Sequence, residues 1–447
     1  MNIALAHYRI SDTDGVSLEM KKWYDCLTKL NHQCIFISGS KQTDVNFHIE
    51  GIDFRDEINK KIVDNCYTEF KDYESTEELK ALLYKRADTI QKELTAIVRK
   101  NKIECMIVAN IMSLGWNLPA CIAFTNFAKA NPKIKFLAVN SDIYWERELY
   151  FHPVVDFVKD ILDDYILPDL INVKHCAISD FARNEIIKRR GIYADILHKS
   201  IDFDNNEQED PQITARLRGI IGARESDIVI LNPSRFAPRK AIELSIDFVA
   251  SLQQRKKDFY GKKLYNGRVF DENSRIYFVL YGTDDSFGTD YITRLKNKLS
   301  DNKIDYINIH DIIDSKRQRG EEEKFSYLDA YYCSDAVVVS SILEGWGNHI
   351  LEASFTRKPL ATFEYPVFKR DIKKIGFKVC SLGDRYSDVK PLRLIPKGAI
   401  DKAAKEMMNI LFDQDRYEKS VRINYDICRK NFSFKTLNSS LQKLLKF

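Results

Sequence analysis

Short apolar runs alternate along the chain with longer stretches in which apolar residues recur every three or four positions. Residues 3–7 (IALAH), 34–38 (CIFIS), 105–109 (CMIVA), 136–140 (FLAVN) and 175–179 (HCAIS) have the length and continuity of strands buried on both faces. Between the first two, Val16, Met20, Trp23, Leu27 and Leu30 share one helical face, which predicts an amphipathic helix over 16–31. The alternation is β-α-β, and it predicts an α/β protein with a parallel, doubly wound sheet.

A second series follows, with strands at 228–232 (IVILN), 276–281, 306–309, 336–340 (AVVVS) and 360–363, and helices at 239–255, 289–300, 325–332 and 348–357. From residue 401 onward the pattern is helical only. Two Rossmann-like halves facing a cleft are expected, with ligands at the carboxyl ends of the strands. The polar run 204–211 (DNNEQEDP) cannot build a core and reads as the linker. The expected division is 1–203 as an acceptor-side domain, 204–227 as linker and first helix, 228–410 as a donor domain, and 411–447 as helices returning to the first domain.

Composition narrows the classes. Lys and Arg number 69 against 65 Asp and Glu, too even a balance for a dedicated nucleic-acid binder. Any bound anion must be held by a local site. The 17 glycines and 11 prolines are roughly half the usual share and exclude collagen-like or low-complexity chains. The nine cysteines are scattered, without a CxxC pair, and read as thiols in a reducing compartment. No run reaches the ~18 apolar residues of a membrane span, and residues 1–7 (MNIALAH) lead straight into an expected strand, without the basic n-region or long h-region of a signal peptide. A cytoplasmic location without a transmembrane segment is expected.

The most informative segment is 340–354 (SSILEGWGNHILEAS). A strand ends, two glycines flank Trp346, and a helix begins whose free N–H groups suit a phosphate. Glu344 precedes the turn and Glu352 lies two helical turns later, so that one carboxylate can take sugar hydroxyls and the other a ribose. Taken alone, such a spacing equally fits a glycine turn with solvent-facing glutamates. In 232–240 (NPSRFAPRK) Arg235 and Lys240 follow a strand end, a fork and a point charge matching a diphosphate. Both segments leave carboxyl ends of strands in the same half, which favours a site over a solvated face.

In the first half, 12–17 (DTDGVS) opens the first helix, and Gly15 permits close backbone approach to a ligand. It is no GxGxxG, which argues against nicotinamide or flavin. Asp12 and Asp14 form a DxD of the kind that holds a divalent metal elsewhere, but Asp202 and Asp204 repeat it, so the pattern arises cheaply; no metal site is assigned. After another strand end, 140–148 (NSDIYWERE) mixes carboxylates with Tyr144 and Trp145, which suit a sugar or simply pack at the rim. His198 and His310 read as ordinary hydrogen-bonding groups. No nucleophile with paired His and acid is spaced for hydrolysis.

Together these segments resemble the retaining nucleotide-sugar glycosyltransferases of the GT-B fold, family 4, over nearly the whole chain. The motif SILEGWGNHILEAS after DAYYCSDAVVVSS carries most of the likeness. The pieces at 14–20 (DGVSLEM), 142–148 (DIYWERE) and 364–372 (EYPVFKRDI) are similar to the mannosylglucosylglycerate synthase-like subgroup. The resemblance implies that Arg235 and Lys240 neutralise the donor diphosphate, Glu344 holds the hexose and Glu352 the ribose. Gly345, Trp346, Gly347, Asn348 and His349 would line the sugar and phosphates, with Gly15 and Val16 closing from the other side. Asp142, Tyr144 and Trp145 would face a carbohydrate or other hydroxylated acceptor.

The donor would be of the GDP-mannose or UDP-glucose type, with no cofactor and no metal. Transfer would be front-face, the leaving diphosphate taking the acceptor proton. One departure stands out: Ser141 precedes Asp142 where the family often has histidine. A noncatalytic nucleotide-sugar-binding protein, a GT-B-fold epimerase or a phosphorylase remain as alternatives.

Overall fold

The computed structural model describes residues 1–10, 15–41, 45–284, 290–318, 320, 323–389 and 392–446. Two compact units emerge, the first comprising Met1–Ser200 with Phe434–Phe447, the second Ile201–Ser433.

In the first unit the strands are β1 (Asn2–His7), β2 (Gln33–Ser38), β3 (Phe47–His48), β4 (Cys105–Ala109), β5 (Lys135–Asn140), β6 (Val173–Ala177) and β7 (Ala194–Ile196). They form one sheet in the order β3-β2-β1-β4-β5-β6-β7, every pair parallel. The helices are α1 (Gly15–Lys29), α2 (Glu57–Tyr67), α3 (Thr76–Lys100), α4 (Leu118–Ala130), α5 (Glu148–Phe151), α6 (Asp156–Tyr165) and α7 (Asp180–Arg190). Successive strand residues point to opposite faces, and the core divides accordingly. Ala4, Ala6, Met106 and Val108 pack with α3 and α4. Ile3, Leu5, Cys105 and Ile107 pack with Met20, Trp23 and Leu27 of α1.

The second unit runs through α8 (Pro211–Ile220), β8 (Ile228–Asn232), α9 (Ile242–Arg255), β9 (Lys262–Lys263), β10 (Val269–Phe270), β11 (Ile276–Leu280), α10 (Tyr291–Asp301), β12 (Tyr306–Asn308), β13 (Ile313–Asp314) and β14 (Phe325–Ser326). It continues with α11 (Tyr327–Cys333), β15 (Ala336–Val339), α12 (Asn348–Phe355), β16 (Leu360–Thr362), α13 (Lys373–Ile375), β17 (Cys380–Ser381), β18 (Ser387–Val389), β19 (Leu392–Leu394), α14 (Lys397–Leu411) and α15 (Gln414–Phe432). Its parallel sheet has the order β12-β11-β8-β15-β16-β17. The fold is the expected pair of Rossmann-like units.

Two expected boundaries are corrected. The chain passes between units at 200–201, before the polar run 204–211, which is tied into the second unit. Glu207 accepts from the Arg317 N–H at 2.8 Å, the Gln208 carbonyl from the Arg317 guanidinium at 2.9 Å, and Asp210 caps α8. The acidic and amide groups that exclude this run from a core are the ones its neighbours bind. Asp202 is likewise used up in a turn, accepting from the Asp204 and Asn205 N–H groups at 3.0 Å. At the other end α15 stays with the second unit, and only α16 (Phe434–Leu444) joins the first, where Phe434, Leu437, Leu441 and Leu444 meet the apolar face of α1.

Candidate active site

In the second unit, two loops leave the carboxyl ends of neighbouring strands β8 and β15 and are locked together by serines. Asn232 donates to Ser245 Oγ at 3.0 Å, Ser245 and Ser340 share a hydrogen bond of 2.7 Å, and Ser340 Oγ donates to the Ala241 carbonyl at 2.6 Å. The Ile342 N–H donates to the Arg239 carbonyl at 3.0 Å. The helix expected over 239–255 is broken: a 3-10 turn at Pro238–Lys240 ends at Ala241, which adopts φ 45°, and α9 begins only at Ile242. The break turns Lys240 back toward the second loop.

There Lys240 Nζ lies 2.5 Å from Glu344 Oε1, and Arg239 lies 3.8 Å from Glu344 Oε2. Burial opposes charge on Glu344, but Lys240, His349 and Arg239 outweigh it and hold its carboxyl at about 2. Burial lowers Lys240, and Arg239 and Arg235 lower it further against the pull of Glu344. Burial with Lys240 brings His349 down to about 4, against Glu344. The acid and both bases all move down. For the two bases burial is the main cause; by formal charge, Lys240 and Arg239 against Glu344 leave one positive charge in excess, which an added anion would offset.

The turn itself is held by Tyr365, whose hydroxyl donates to the Trp346 carbonyl at 2.5 Å. Gly347 has φ 116°, and a Cβ there would overlap the Tyr365 hydroxyl. Only glycine fits, and α12 starts directly after it, with half-buried Asn348 and buried His349 in its first turn. Gly345 is exposed. Trp346 is 2% exposed and its ring packs on Phe432 at 4.8 Å, so the side chain anchors the turn in the core. His349 Nε2 and Ser341 Oγ are enclosed without a partner. Farther along α12, Glu352 Oε2 accepts from the Tyr331 hydroxyl at 2.5 Å, and Tyr281 is also raised by its charge, after burial. Arg235 is exposed on the first loop.

In the first unit, Gly15 and Val16 begin α1, Gly15 exposed; Asp12 and Asp14 lie outside the described residues. After β5, Asn110 reaches across from the end of β4, its Oδ1 accepting from the Ser141 N–H at 2.8 Å, and it adopts φ 59° to do so. Asp142 accepts from Arg147 at 2.7 Å. Tyr144 and Trp145 meet edge to face at 5.1 Å, and Arg189 lies over the Trp145 ring at 5.3 Å.

Sequence spacing did not single out Arg239, Tyr331, Tyr365, Asn110, Glu146 or Arg147. Arg239 stood within the quoted basic loop, and Glu146 and Arg147 within 142–148. Tyr331 and Tyr365 likewise lie within 329–341 and 364–372, but their spacing gives no role; Asn110, just after β4, carries no local signal.

Two doubly wound units, with a cation-rich Glu-x7-Glu turn at the strand ends of the second, define a glycosyltransferase of the GT-B fold. Solved structures agree on the fold. A glycosyltransferase from Rickettsia africae superposes with a TM-score of 0.63 at 15% identity, covering 100% of this chain and 99% of that one. Sucrose-phosphate synthase from Thermosynechococcus elongatus gives 0.62 at 13%, covering 100% and 98%. Anabaena Alr3699/HepE, solved with UDP and glucose, gives 0.60 at 12%, covering 100% and 99%. No protein-family profile matches the chain.

Two full-length relatives are closer. Mannosylglucosylglycerate synthase of Petrotoga mobilis is 32% identical over 440 residues, 98% of this chain and 100% of that protein. The protein of the same name from Thermotoga maritima is 31% identical over 443 residues, 99% of each. The chain belongs to the mannosylglucosylglycerate synthase family.

Proposed function

We propose that the chain transfers a hexose from a nucleotide diphosphate sugar to a hydroxylated acceptor, with retention and without metal. The relatives' name favours a mannosyl group transferred to glucosylglycerate; of the two expected donor types, GDP-mannose is the one that carries mannose. The observation that carries the reading is the cluster of Lys240 and Arg239 on Glu344 beside the start of α12. Its positive excess suits a diphosphate, aided by Arg235 and the first N–H groups of α12. Glu344, ionised throughout the neutral range, accepts from hexose hydroxyls, and Glu352 from the ribose.

Fixed cations also stabilise the leaving diphosphate as negative charge develops on it, the part a divalent ion plays in other transferases. The acceptor docks on the loop 141–147, and its hydroxyl passes its proton to the departing diphosphate on the same face of the sugar. Cytoplasmic action fits nine cysteines that are all free thiols. The test is incubation with GDP-mannose, UDP-glucose and glucosylglycerate in the presence of a chelator, with the anomeric configuration of the product read by NMR. An inverted product, or turnover that requires added manganese, would overturn the corresponding part of the reading.

A further inference from the structure

The loop after β5 carries two carboxyls four residues apart, and they are differently engaged. Asp142 is ion-paired, Arg147 donating to its Oδ1 at 2.7 Å, while its backbone carbonyl accepts from Ser113 Oγ at 2.7 Å. Glu146 is held instead by a backbone group, its Oε2 accepting from the Ile143 N–H at 2.9 Å. Around them, three enclosed polar atoms have no partner: Ser141 Oγ, Trp145 Nε1 and, beyond Tyr150, Tyr67 Oη. Buried polar groups are nearly always partnered, so two such atoms on one strand-end loop, with a third on the neighbouring α2, point to a hydroxyl-bearing ligand. Gly115 keeps the hydroxyl of Tyr67 close to the backbone, since a Cβ there would come within 2.6 Å of it.

We propose that Glu146, rather than Asp142, is the acceptor-binding carboxyl: its Oε1 accepts a hydrogen bond from an acceptor hydroxyl while Trp145 Nε1 donates to another. The inference rests on the acceptor docking at this loop, as set out above. Burial raises Glu146 to about 7, with Asp142 and Glu185 adding to the rise and the Ile143 N–H and Arg147 opposing it. The facing charges are Asp142 and Arg147 on its own loop and Glu185 and Arg189, mutually paired at 3.0 Å, on α7. The carboxyl is thus half ionised near neutrality. Only the ionised form accepts through Oε1 while Oε2 keeps the Ile143 N–H.

Acceptor KM, with GDP-mannose and glucosylglycerate as probes, is therefore expected to rise up to tenfold per pH unit below about 7 in the unmodified protein. Glu146→Gln is expected to raise acceptor KM about 10- to 100-fold at pH 8, to flatten its pH dependence, and to leave donor KM unchanged. The wild-type pH profile stands even if the variant folds poorly. Transfer with a flat acceptor KM between pH 5.5 and 8, or a Glu146→Gln enzyme with wild-type acceptor KM, overturns the role of Glu146 alone. Absence of transfer to any hydroxylated acceptor by the unmodified protein overturns the proposed function with it.

Discussion

The loop after β15 and the loop after β5 both leave the carboxyl end of a buried parallel strand, yet their acids titrate in opposite directions. In the first, cations hold Glu344 at about 2 although burial pushes the other way. In the second, burial prevails and Glu146 rises to about 7, with Asp142 close by and a single arginine opposing. Both loops follow a buried parallel strand; what differs is that Lys240 pairs directly with Glu344, whereas the oxygen of Glu146 that is held accepts from a backbone N–H. A Rossmann-like strand end is thus chemically neutral as architecture. Its loop decides whether it favours a diphosphate or hydroxyl groups.

Removing the cations should erase that contrast, with the largest effect expected. Lys240→Met is expected to lower kcat/KM for the donor by about 10²- to 10³-fold, the range seen when one fixed donor to developing negative charge is lost. Acceptor KM should stay near wild type. A loss falling mainly on acceptor KM would mean that the two loops do not divide the substrates as described.

Gly347→Ala attacks the shape of the turn after β15 and leaves its charge intact. The new Cβ meets the Tyr365 hydroxyl at a positive φ, and strain of this kind costs ~1–3 kcal/mol. Denaturant unfolding should register it. Adding Tyr365→Phe removes the obstructing oxygen and should restore part of the loss, whereas no recovery would place the strain elsewhere.

Glu352→Gln tests the far end of the same turn. Loss of one charge-assisted hydrogen bond predicts a donor affinity weakened roughly ten- to a hundred-fold. Calorimetry with the nucleotide diphosphate measures it, and unchanged affinity would remove Glu352 from the ribose.

The smallest effect sharpens the comparison through acid. His349 titrates at about 4 in the folded chain against an ordinary 6.5, so between these values the unfolded state binds more protons. Stability from His349 is complete above about 6.5 and declines as pH falls toward 4. Glu344 adds a loss in the same direction, beginning below 4.5 and complete as pH passes through about 2. Glu146 is opposite: with a folded value of about 7 against 4.5, its contribution grows as pH falls from 7 to 4.5. Each slope is bounded by about 1.4 kcal/mol per pH unit. Hydrogen exchange between pH 7 and 5 should show amides around α12 losing protection relative to those around β5, and equal changes would refute the opposed polarity.

Much of this was legible in the chain because parallel strands buried on both faces must be continuous apolar runs, as β1, β4, β8 and β15 are. The edge strands β3 and β7, two and three residues long, lack the length to show such a pattern. Glu344, Gly347 and Lys240 declared themselves through local spacing. The burial of Trp346 was not legible, because a tryptophan between glycines serves equally to line a site or to anchor it, and the ring it packs on, Phe432, lies far along the chain. The polarity of the two loops was hidden too. It depends on burial and on neighbours such as Arg239 and Arg147, whose side-chain directions are set by the break at Ala241 and the turn at Asn110.

The return of α16 to the first unit bears on how the protein is made. The apolar face of α1, with Met20, Trp23 and Leu27, is covered by Phe434, Leu437 and Leu441, which leave the ribosome only after the roughly 230 residues of the second unit. At ~5–20 residues per second, that face waits on the order of ten to fifty seconds for its cover. The second unit, contiguous in sequence, is free to fold in the interval. The first therefore completes last although it is synthesised first, and its nascent form presents a sticky helix to chaperones for most of translation.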